Sequence, residues 1–364
     1  MVTRLTVALL FGGRSSEHEI SCSTAAGVLS AIDRTKYDVI PIGITKDGAF
    51  TLQPDDAALF AMNPDNMPVV HDNGTRIHWP SSALTRELTV TDASGETRSL
   101  GDVDVVFPIL HGPFGEDGTI QGLLELAGLP YVGNGVLASS LGMDKHFAKT
   151  ALEGAGVTVA PWVTVSPRSW SEDRDALLAQ VTSLGLPLFV KPARAGSSVG
   201  VTKVSSLDDL DAALTVAFAE DSRALVEAAI VGREVECGVL SGRGGSAPRV
   251  SVAGEIIMHG REFYDFEAKY IDPDAAELVC PASLEPDELA EMQRIAARAF
   301  DAIGGSGLAR VDFFFTGTQF VVNELNTMPG FTPISMYPKC WQASGLSYTE
   351  LIDELIQLGL EAVR

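Results

Sequence analysis

Short, continuous apolar segments alternate with helical patterns in the first third of the chain. Segments 5–11, 37–45 and 103–110 are mostly apolar, which is typical of strands buried on both faces. Residues 21–32 follow a helical pattern between the first two, and residues 117–126 predict a second short helix. This order predicts a small parallel sheet with helices on its faces.

A polar segment, 53–100, interrupts this alternation. The dipeptides Asn73-Gly74 and Ser94-Gly95 are turn signals within it. We therefore predict hairpins or an extended surface insertion there, without a role in chemistry.

The rest of the chain predicts two further α/β or α+β units. After a helix at 137–155, the second unit has strands at 157–165, 187–192 and 199–204 and helices at 172–183 and 206–220. The third unit has strands at 224–229, 233–241, 249–258, 308–316 and 319–324, a helix at 286–303, and a closing helix that begins at the capping box of Ser347 and Glu350. The predicted domains are therefore 1–138, 139–224 and 225–364.

The charge balance restricts the partners that the protein can bind. The 364 residues include 48 acidic and 26 basic side chains, a net charge of −22. Nucleic acid and anionic membranes would be repelled, so we expect neither as a partner. An anionic substrate must instead be bound by local cations or by metal ions, which makes the positions of the few lysines and arginines informative.

The spacing of the cysteines and the lengths of the apolar segments indicate the cellular compartment. The four cysteines are widely spaced and form no CxxC motif, which predicts reduced thiols rather than disulfides or a zinc site. The apolar segment 5–11 is too short for a signal peptide, and no later segment reaches transmembrane length. We therefore expect a cytoplasmic protein.

Two predicted C-terminal strands carry polar residues at alternate positions. Arg310 and Asp312 share one strand face, and Glu324 and Asn326 share a face of the next strand. If these strands pair, the carboxylate and amide oxygens converge, and such oxygen ligands suit Mg²⁺. An isolated pair of this kind is usually a solvated hairpin face. The neighbouring strands and the Pro-Gly turn at 329–330 together favour the metal site.

A Gly/Ser-rich segment, 191–200, lies between two apolar strands. Its backbone N–H groups could close over phosphate oxygens, with Lys191 adding a positive charge. The segment lacks the P-loop pattern, and a flexible hairpin is the alternative. Lys145 is a second candidate for phosphate binding, although a solvated helix lysine is the alternative there.

Two further motifs follow predicted parallel strands, whose carboxyl ends meet at the ligand-binding edge of a sheet. Glu17, in the segment 12–19, is placed to meet an ammonium group, and stabilisation of the helix N-terminus is the alternative. His111 begins the glycine-rich segment 111–118, and a structural histidine is its alternative. Segment 263–270 mixes aromatic and charged residues, as in a lid or an ordinary surface loop.

Taken in order, these motifs closely resemble those of the D-alanine–D-alanine ligases of the ATP-grasp superfamily, over nearly the whole chain. The resemblance implies an ATP-grasp fold, in which an N-terminal parallel α/β domain precedes two α+β domains that sandwich ATP. It also implies D-alanine and ATP as substrates, two Mg²⁺ or Mn²⁺ ions, and a homodimer. The implied reaction joins two D-alanines through an acyl phosphate, for peptidoglycan precursor synthesis.

The resemblance implies roles for particular residues. The first D-alanine's amino group is expected to be held within a hydrogen-bonded triad of Glu17, Ser197 and Tyr270. Its carboxylate is expected to contact His111 and Arg310, with the Gly330 N–H in an oxyanion hole. The second D-alanine's carboxylate is expected at Ser335 and the Met336 N–H. Tyr270 stands where relatives that make D-alanyl-D-lactate carry phenylalanine, which favours the dipeptide product.

Further implied roles concern ATP and metal. The residues expected to contact ATP are Lys145, Lys191, Ser197, Ser198 and Lys269 around the phosphates, Glu234 at the ribose, and Glu227, Ala229 and Ile230 at the adenine. The expected metal ligands are Asp312, Glu324 and Asn326. Two alternatives remain: another ATP-grasp ligase with a different acid or amine, which would not need the triad, and a nucleotide-binding regulatory module without turnover.

Overall fold

A computed structural model describes residues 4–63, 65–196, 198–258 and 276–362. The predictions for Ser197, Lys269, Tyr270 and the lid segment 263–270 fall outside these residues. In the described part of the chain, no helix has both the length and the apolar character needed to cross a membrane.

Strands and helices follow one another along the whole described chain. The strands are β1 (Leu5–Gly12), β2 (Tyr37–Ile44), β3 (Phe50–Leu52), β4 (Arg76–His78), β5 (Glu87–Thr91), β6 (Thr97–Asp102), β7 (Val105–Pro108), β8 (Trp162–Val165), β9 (Leu188–Pro192), β10 (Thr202–Val204), β11 (Ala224–Ala228), β12 (Arg233–Leu240), β13 (Arg249–Met258), β14 (Ala276–Val279), β15 (Leu308–Phe315) and β16 (Phe320–Asn326). The helices are α1 (His18–Ala31), α2 (Thr119–Ala127), α3 (Val136–Met143), α4 (Lys145–Gly154), α5 (Pro167–Glu172), α6 (Arg174–Ser183), α7 (Leu210–Glu220), α8 (Pro286–Ala302), α9 (Met336–Ala343) and α10 (Tyr348–Glu361).

The N-terminal sheet has the strand order β3-β2-β1-β7, and β1 is parallel to both β2 and β7. Its central strand is buried on both faces, because Val7 and Leu9 enter one apolar core and Ala8 and Leu10 enter another. This confirms the predicted parallel sheet. The carboxyl ends of β1, β2 and β7 lie at one edge, where Glu17 and His111 follow their strands.

The polar insertion predicted at 53–100 contains a small antiparallel sheet with the order β4-β5-β6. A tight turn between Asp92 and Glu96 joins β5 to β6, with Gly95 in the left-handed region at φ 89°. The prediction of hairpins is confirmed.

The predicted helix at 137–155 is wrong as a single element, because Asp144 divides it into α3 and α4. The Asp144 backbone is extended, and its carboxylate accepts hydrogen bonds from the N–H groups of His146 and Phe147, as an N-cap does. Lys145 therefore opens α4 rather than lying inside a longer helix. The predicted helix at 172–183 corresponds to α6, which begins two residues later, at Arg174, because Asp173 separates it from α5.

The remaining sheets are antiparallel. The central one has the order β10-β9-β11-β8, and the C-terminal one has the order β14-β13-β12-β15-β16. In the C-terminal sheet, Arg310 lies opposite Asn326 and Asp312 lies opposite Glu324. The predicted pairing of these two strands is confirmed.

The closing helix α10 begins at the predicted capping box of Ser347 and Glu350. Its apolar face, with Leu351 and Leu355, is buried in the same core as Val7 of β1. The end of the chain therefore packs against the beginning. The predicted division into three domains at 138 and 224 remains a prediction.

Candidate active site

A cavity of about 540 Å³ lies among the central sheet, the C-terminal sheet and the loops that follow β1 and β7. Its lining contains all of the described residues of the predicted site except Ala229: Glu17, His111, Lys145, Lys191, Ser198, Glu227, Ile230, Glu234, Arg310, Asp312, Glu324, Asn326, Gly330, Ser335 and Met336. The Ala229 N–H instead donates to the Pro187 carbonyl at 3.1 Å. The structure thus gathers residues that are up to 319 positions apart in the chain.

Arg310 is held by two carboxylates at one wall of this cavity. Its guanidinium donates to both carboxylate oxygens of Asp312 at 2.7 Å, and its Nε lies 3.1 Å from Glu236 Oε2. Burial acts to lower the pKa of Arg310, but Asp312 and Glu236 outweigh burial and hold that pKa well above its usual value. Arg310 is therefore a fixed cation in a buried position.

Glu236 was not predicted as part of the site. The strand register places it directly beside Asp312, which in turn lies opposite Glu324, so three carboxylates cross β12, β15 and β16 in one row. Glu234 and Glu236 are two residues apart, as Arg310 and Asp312 are, so they share one face of a strand. This spacing could have indicated that Glu236 belongs to the site.

The predicted metal ligands share this sheet face. Asn326 Nδ2 donates to Asp312 Oδ2 at 3.0 Å, and Glu324 lies across the strand pair from Asp312. In the described chain, no group of three or more His, Cys, Asp or Glu side chains forms a metal site. Two carboxylates and one amide fit a divalent ion that also uses phosphate oxygens and water. Such an ion would compete with Arg310 for the oxygens of Asp312.

A second charged group faces the cavity from the central sheet. Lys191 Nζ lies 2.7 Å from Glu227 Oε2, and Lys149 Nζ lies 3.4 Å from Glu227 Oε1. Burial acts to raise the pKa of Glu227, but the two lysines overcome it, so the pKa is lowered and the carboxylate stays charged. The Glu227 side chain therefore forms ion pairs with two lysines. The resemblance places the segment that contains Glu227 at the adenine.

Lys149 was missed in the sequence, although it lies four residues after Lys145 on α4 and thus on the same helix face. Lys145 Nζ donates to the Ala195 carbonyl at 2.7 Å, and the Lys145 N–H donates to the Ala193 carbonyl at 2.9 Å. Burial lowers the pKa of Lys145. These bonds attach the start of α4 to the Gly/Ser-rich segment.

The Glu17 carboxylate lies between two glycines that permit close approach. A Cβ added to Gly112 would lie 2.7 Å from Glu17 Oε2, and one added to Gly196 would lie 3.1 Å from the same atom. A larger residue at Gly112 would displace the carboxylate. Glu17 thus contacts the residue that precedes Ser197 in the chain.

His111 and Glu116 connect the loop after β7 to the loop after β16. His111 Nδ1 lies 3.2 Å from the Met328 carbonyl, which only accepts, so Nδ1 carries a proton. Burial lowers the pKa of His111, which favours the neutral ring, and Nε2 lies 3.4 Å from Thr24 Oγ1. The Glu116 carboxyl accepts from the Gly112 N–H at 2.6 Å and from the Met328 N–H at 3.2 Å.

Glu116 was also missed, although it lies in the predicted glycine-rich segment. Burial raises the pKa of Glu116 to about 8, and the carboxylates of Glu17 and Glu324 act in the same direction. The two backbone N–H donors oppose this shift. Glu116 is therefore largely protonated at neutral pH.

The N-terminus of α9 also faces the cavity. Ser335 occupies the N-cap position, and its Oγ lies 2.8 Å from Thr332 Oγ1 and accepts from the Thr332 N–H at 3.2 Å. A Cβ added to Gly330 would lie 3.3 Å from Ser335 Oγ, so Gly330 is close to this cap. The free N–H groups and dipole of a helix N-terminus favour a bound carboxylate.

Comparison with known proteins agrees with this arrangement. Residues 6–134 match the family described as the D-ala D-ala ligase N-terminus, and residues 151–357 match the D-ala D-ala ligase C-terminus. The D-alanine--D-alanine ligases of Paenarthrobacter aurescens and Streptomyces coelicolor are 54% and 51% identical to this chain. The alignments cover 98% and 97% of this chain and 95% and 92% of the relatives.

Solved structures extend the comparison to the fold. The VanG D-Ala:D-Ser ligase from Enterococcus faecalis superposes with a TM-score of 0.84 at 35% identity, covering 98% of this chain and 100% of that one. The D-alanine-D-alanine ligase from Coxiella burnetii gives 0.79 at 37% identity, covering 98% and 94%. The predicted ATP-grasp fold is confirmed, and the chain belongs to the D-alanine–D-alanine ligase family.

Proposed function

We propose that this protein joins two D-alanines into D-alanyl-D-alanine for peptidoglycan precursor synthesis, converting ATP to ADP and phosphate. The observation that carries the proposal is that one cavity is lined by the buried cation Arg310, by Lys191, by Glu17 and by the N-terminus of α9. The relatives named D-alanine--D-alanine ligase align with this chain over nearly its full length, and they support the same reaction.

In the first step, a carboxylate oxygen of the first D-alanine attacks the γ-phosphorus of ATP, and the bond to the β-phosphate oxygen breaks. Two anions must approach each other, so cations have to offset their repulsion. We expect Lys191, on β9 of the central sheet, and Lys145, at the start of α4, to do this, since both line the cavity. A divalent ion held by Asp312, Glu324 and Asn326 would supply further neutralisation of the phosphates.

The first D-alanine would be held at both its ammonium group and its carboxylate. Glu17 would hold its ammonium group, within the triad proposed with Ser197 and Tyr270. Arg310 is a permanent donor for the carboxylate, whereas the neutral His111 can donate through Nε2 only after taking up a proton. Arg310 is therefore the stronger carboxylate partner of the two.

In the second step, the neutral amine of the second D-alanine attacks the acyl carbon, the attacking nitrogen loses a proton, and the bond between the acyl carbon and the phosphate oxygen breaks as phosphate leaves. The tetrahedral intermediate carries an oxyanion, which Arg310 and the Gly330 N–H would stabilise. Ser335 and the Met336 N–H, at the start of α9, would hold the second carboxylate. Water must be excluded from the acyl phosphate, and the lid proposed for 263–270 would serve that purpose.

Several finer assignments belong to the same proposal. Lys269, Ser198, Glu234 and Ile230 would complete the ATP site, with two Mg²⁺ or Mn²⁺ ions bound. We also propose a homodimer, and a cytoplasmic location because the reaction consumes ATP.

Product identity tests the proposal directly. The purified protein is incubated with ATP, Mg²⁺, D-alanine and an equal concentration of D-lactate or D-serine, and the products are identified by mass. We expect D-alanyl-D-alanine to predominate, and Tyr270→Phe to shift the product toward D-alanyl-D-lactate because Phe lacks the phenol hydroxyl. Predominance of a D-serine product, like that implied by the name of the VanG enzyme, would contradict the proposed specificity.

A further inference from the structure

The four cysteines are free thiols, and two of them lie close together on neighbouring elements. Cys280 Sγ is 3.8 Å from Cys340 Sγ, although the residues are 60 positions apart. Cys280 follows the end of β14, and Cys340 lies within α9. The pair therefore bridges the last strand of the C-terminal sheet and the helix whose N-terminus faces the cavity.

The two thiols differ in their accessibility and acidity. Cys280 is half-buried, whereas Cys340 is fully buried. The Cys340 thiol lowers the pKa of Cys280; burial opposes this shift and Lys339 supports it. The Cys280 contact and burial raise the pKa of Cys340 well above its usual value. Cys280 is thus the thiol that a reagent from solvent reaches, with Cys340 behind it as the resolving thiol.

We propose that Cys280 and Cys340 form an oxidisable dithiol, which closes an intramolecular disulfide when the protein reacts with hydrogen peroxide. The Cys280 thiolate attacks one peroxide oxygen, the O–O bond breaks, hydroxide leaves, and Cys280 becomes a sulfenic acid. The Cys340 sulfur then attacks the Cys280 sulfur, the S–O bond breaks, and water leaves. Two thiols are oxidised to one disulfide, and one peroxide is reduced to two waters.

Closing this bond requires movement near the cavity. The sulfurs are 3.8 Å apart, whereas a disulfide bond is about 2.05 Å long. Met336, one helical turn before Cys340, already packs tightly on β13, because a Cβ added to Gly254 would lie 2.2 Å from Met336 Sδ. Because α9 cannot move toward the sheet without displacing Met336, we expect the disulfide to shift the end of α9 that carries Ser335.

The other two cysteines serve as internal controls. Cys22 and Cys237 are fully buried. Burial raises the pKa of Cys22 to about 12 and raises that of Cys237 well above its usual value. Neither is therefore expected to react with peroxide in the folded protein.

The first test measures the bond itself and does not depend on activity. The full-length protein is treated with hydrogen peroxide, and its intact mass and cross-linked peptides are determined. We expect a loss of about 2 Da, a peptide pair that links Cys280 to Cys340, and reversal by dithiothreitol. Cys22→Ala should behave as the wild type, whereas Cys280→Ser and Cys340→Ala should form no internal disulfide. Links between chains, or oxidation of Cys280 without a link, would overturn the proposal.

The second test measures the consequence for catalysis, which rests on the proposed function. We expect oxidation to lower kcat/KM for D-alanine by about tenfold, since a misplacement of about 1 Å can cost about 100-fold. Dithiothreitol should restore it, and Cys280→Ser should be unaffected. An unchanged kcat/KM after disulfide formation would overturn the predicted shift of α9. If the protein shows no D-alanine-dependent turnover before oxidation, only the proposed function is contradicted. The mass measurement still tests the dithiol in that case.

Discussion

Arg310 and Glu116 both line the cavity, and the surroundings of each determine its charge. Both are ionisable groups held by specific partners, one as a permanent cation and the other as a carboxyl that retains its proton at neutral pH. Arg310 could be predicted from its two-residue spacing with Asp312. Its second partner, Glu236, has the same two-residue spacing with Glu234, but only the register between β12 and β15 shows that Glu236 lies beside the Arg310 and Asp312 pair.

Arg310→Lys should lower kcat by about 100- to 1,000-fold, as removal of an oxyanion donor does. Lysine keeps the charge, but it cannot bind both oxygens of Asp312 in parallel. Steady-state release of phosphate in the presence of D-alanine measures the effect. Arg294→Lys is the matched control, because Arg294 pairs with Glu291 at the surface of α8. An unchanged kcat in Arg310→Lys would remove Arg310 from the reacting centre.

Glu116→Gln tests the raised pKa of Glu116. The folded chain keeps this proton up to about pH 8, whereas the unfolded chain releases it near 4.5. The associated stability is therefore complete below the unfolded pKa and is lost as pH rises through the folded pKa. Glutamine cannot ionise, so the free energy of unfolding of Glu116→Gln should rise relative to wild type between about pH 5.5 and about pH 8.

Urea denaturation at several pH values measures this difference. The exposed Glu153→Gln is the control, and its difference from wild type should vary less with pH. A difference for Glu116→Gln that stays constant across this pH range would show that Glu116 ionises normally in the folded protein.

At the scale of elements, Asp144 determines how the central unit begins. The helical pattern at 137–155 is continuous in the sequence, and only the capping geometry of Asp144 shows that two helices meet there. By contrast, the buried strands were predictable, because continuous apolar segments have few alternatives. The break matters for the site, because it places Lys145 at the start of α4, bonded to Ala193 and Ala195.

Asp144→Ala should lower the free energy of unfolding by about 2 kcal/mol, because it removes an N-cap. It also leaves Arg223 without its buried carboxylate partner. Asp144→Asn retains the cap but not the charge, so its loss should be smaller. Urea denaturation measures the loss in the free energy of unfolding for both variants. Asp173→Ala is the control, because Asp173 makes no side-chain cap bond. Equal losses in Asp144→Ala and Asp144→Asn would assign the effect to the Arg223 pair alone.

At the scale of the whole molecule, the last helix of the described chain, α10, packs against the first sheet. Its apolar face completes the core of that sheet. The amphipathic pattern and capping box of α10 were predictable, but its partner was not, since periodicity indicates which face is buried and not what covers it. The same limit applies to the cavity, whose walls come from all three predicted domains.

Leu355→Ala should destabilise the N-terminal sheet although it lies near the chain end. Leu355 is fully buried in the core that contains Val7 and Leu9, so the cavity should cost about 3 kcal/mol. Hydrogen exchange should then show lower protection in β1 as well as in α10. Leu84→Ala is the control, because Leu84 is 95% exposed. Protection lost from α10 alone would contradict the shared core.

We expect this cavity to activate the carboxylate of D-alanine with ATP. The most direct test supplies D-alanine labelled with ¹⁸O in its carboxylate and measures the mass of the released phosphate. If an acyl phosphate forms, one labelled oxygen leaves the substrate with the phosphate, so the account predicts singly labelled phosphate in proportion to dipeptide. Unlabelled phosphate would mean that water attacks ATP, and it would contradict the account.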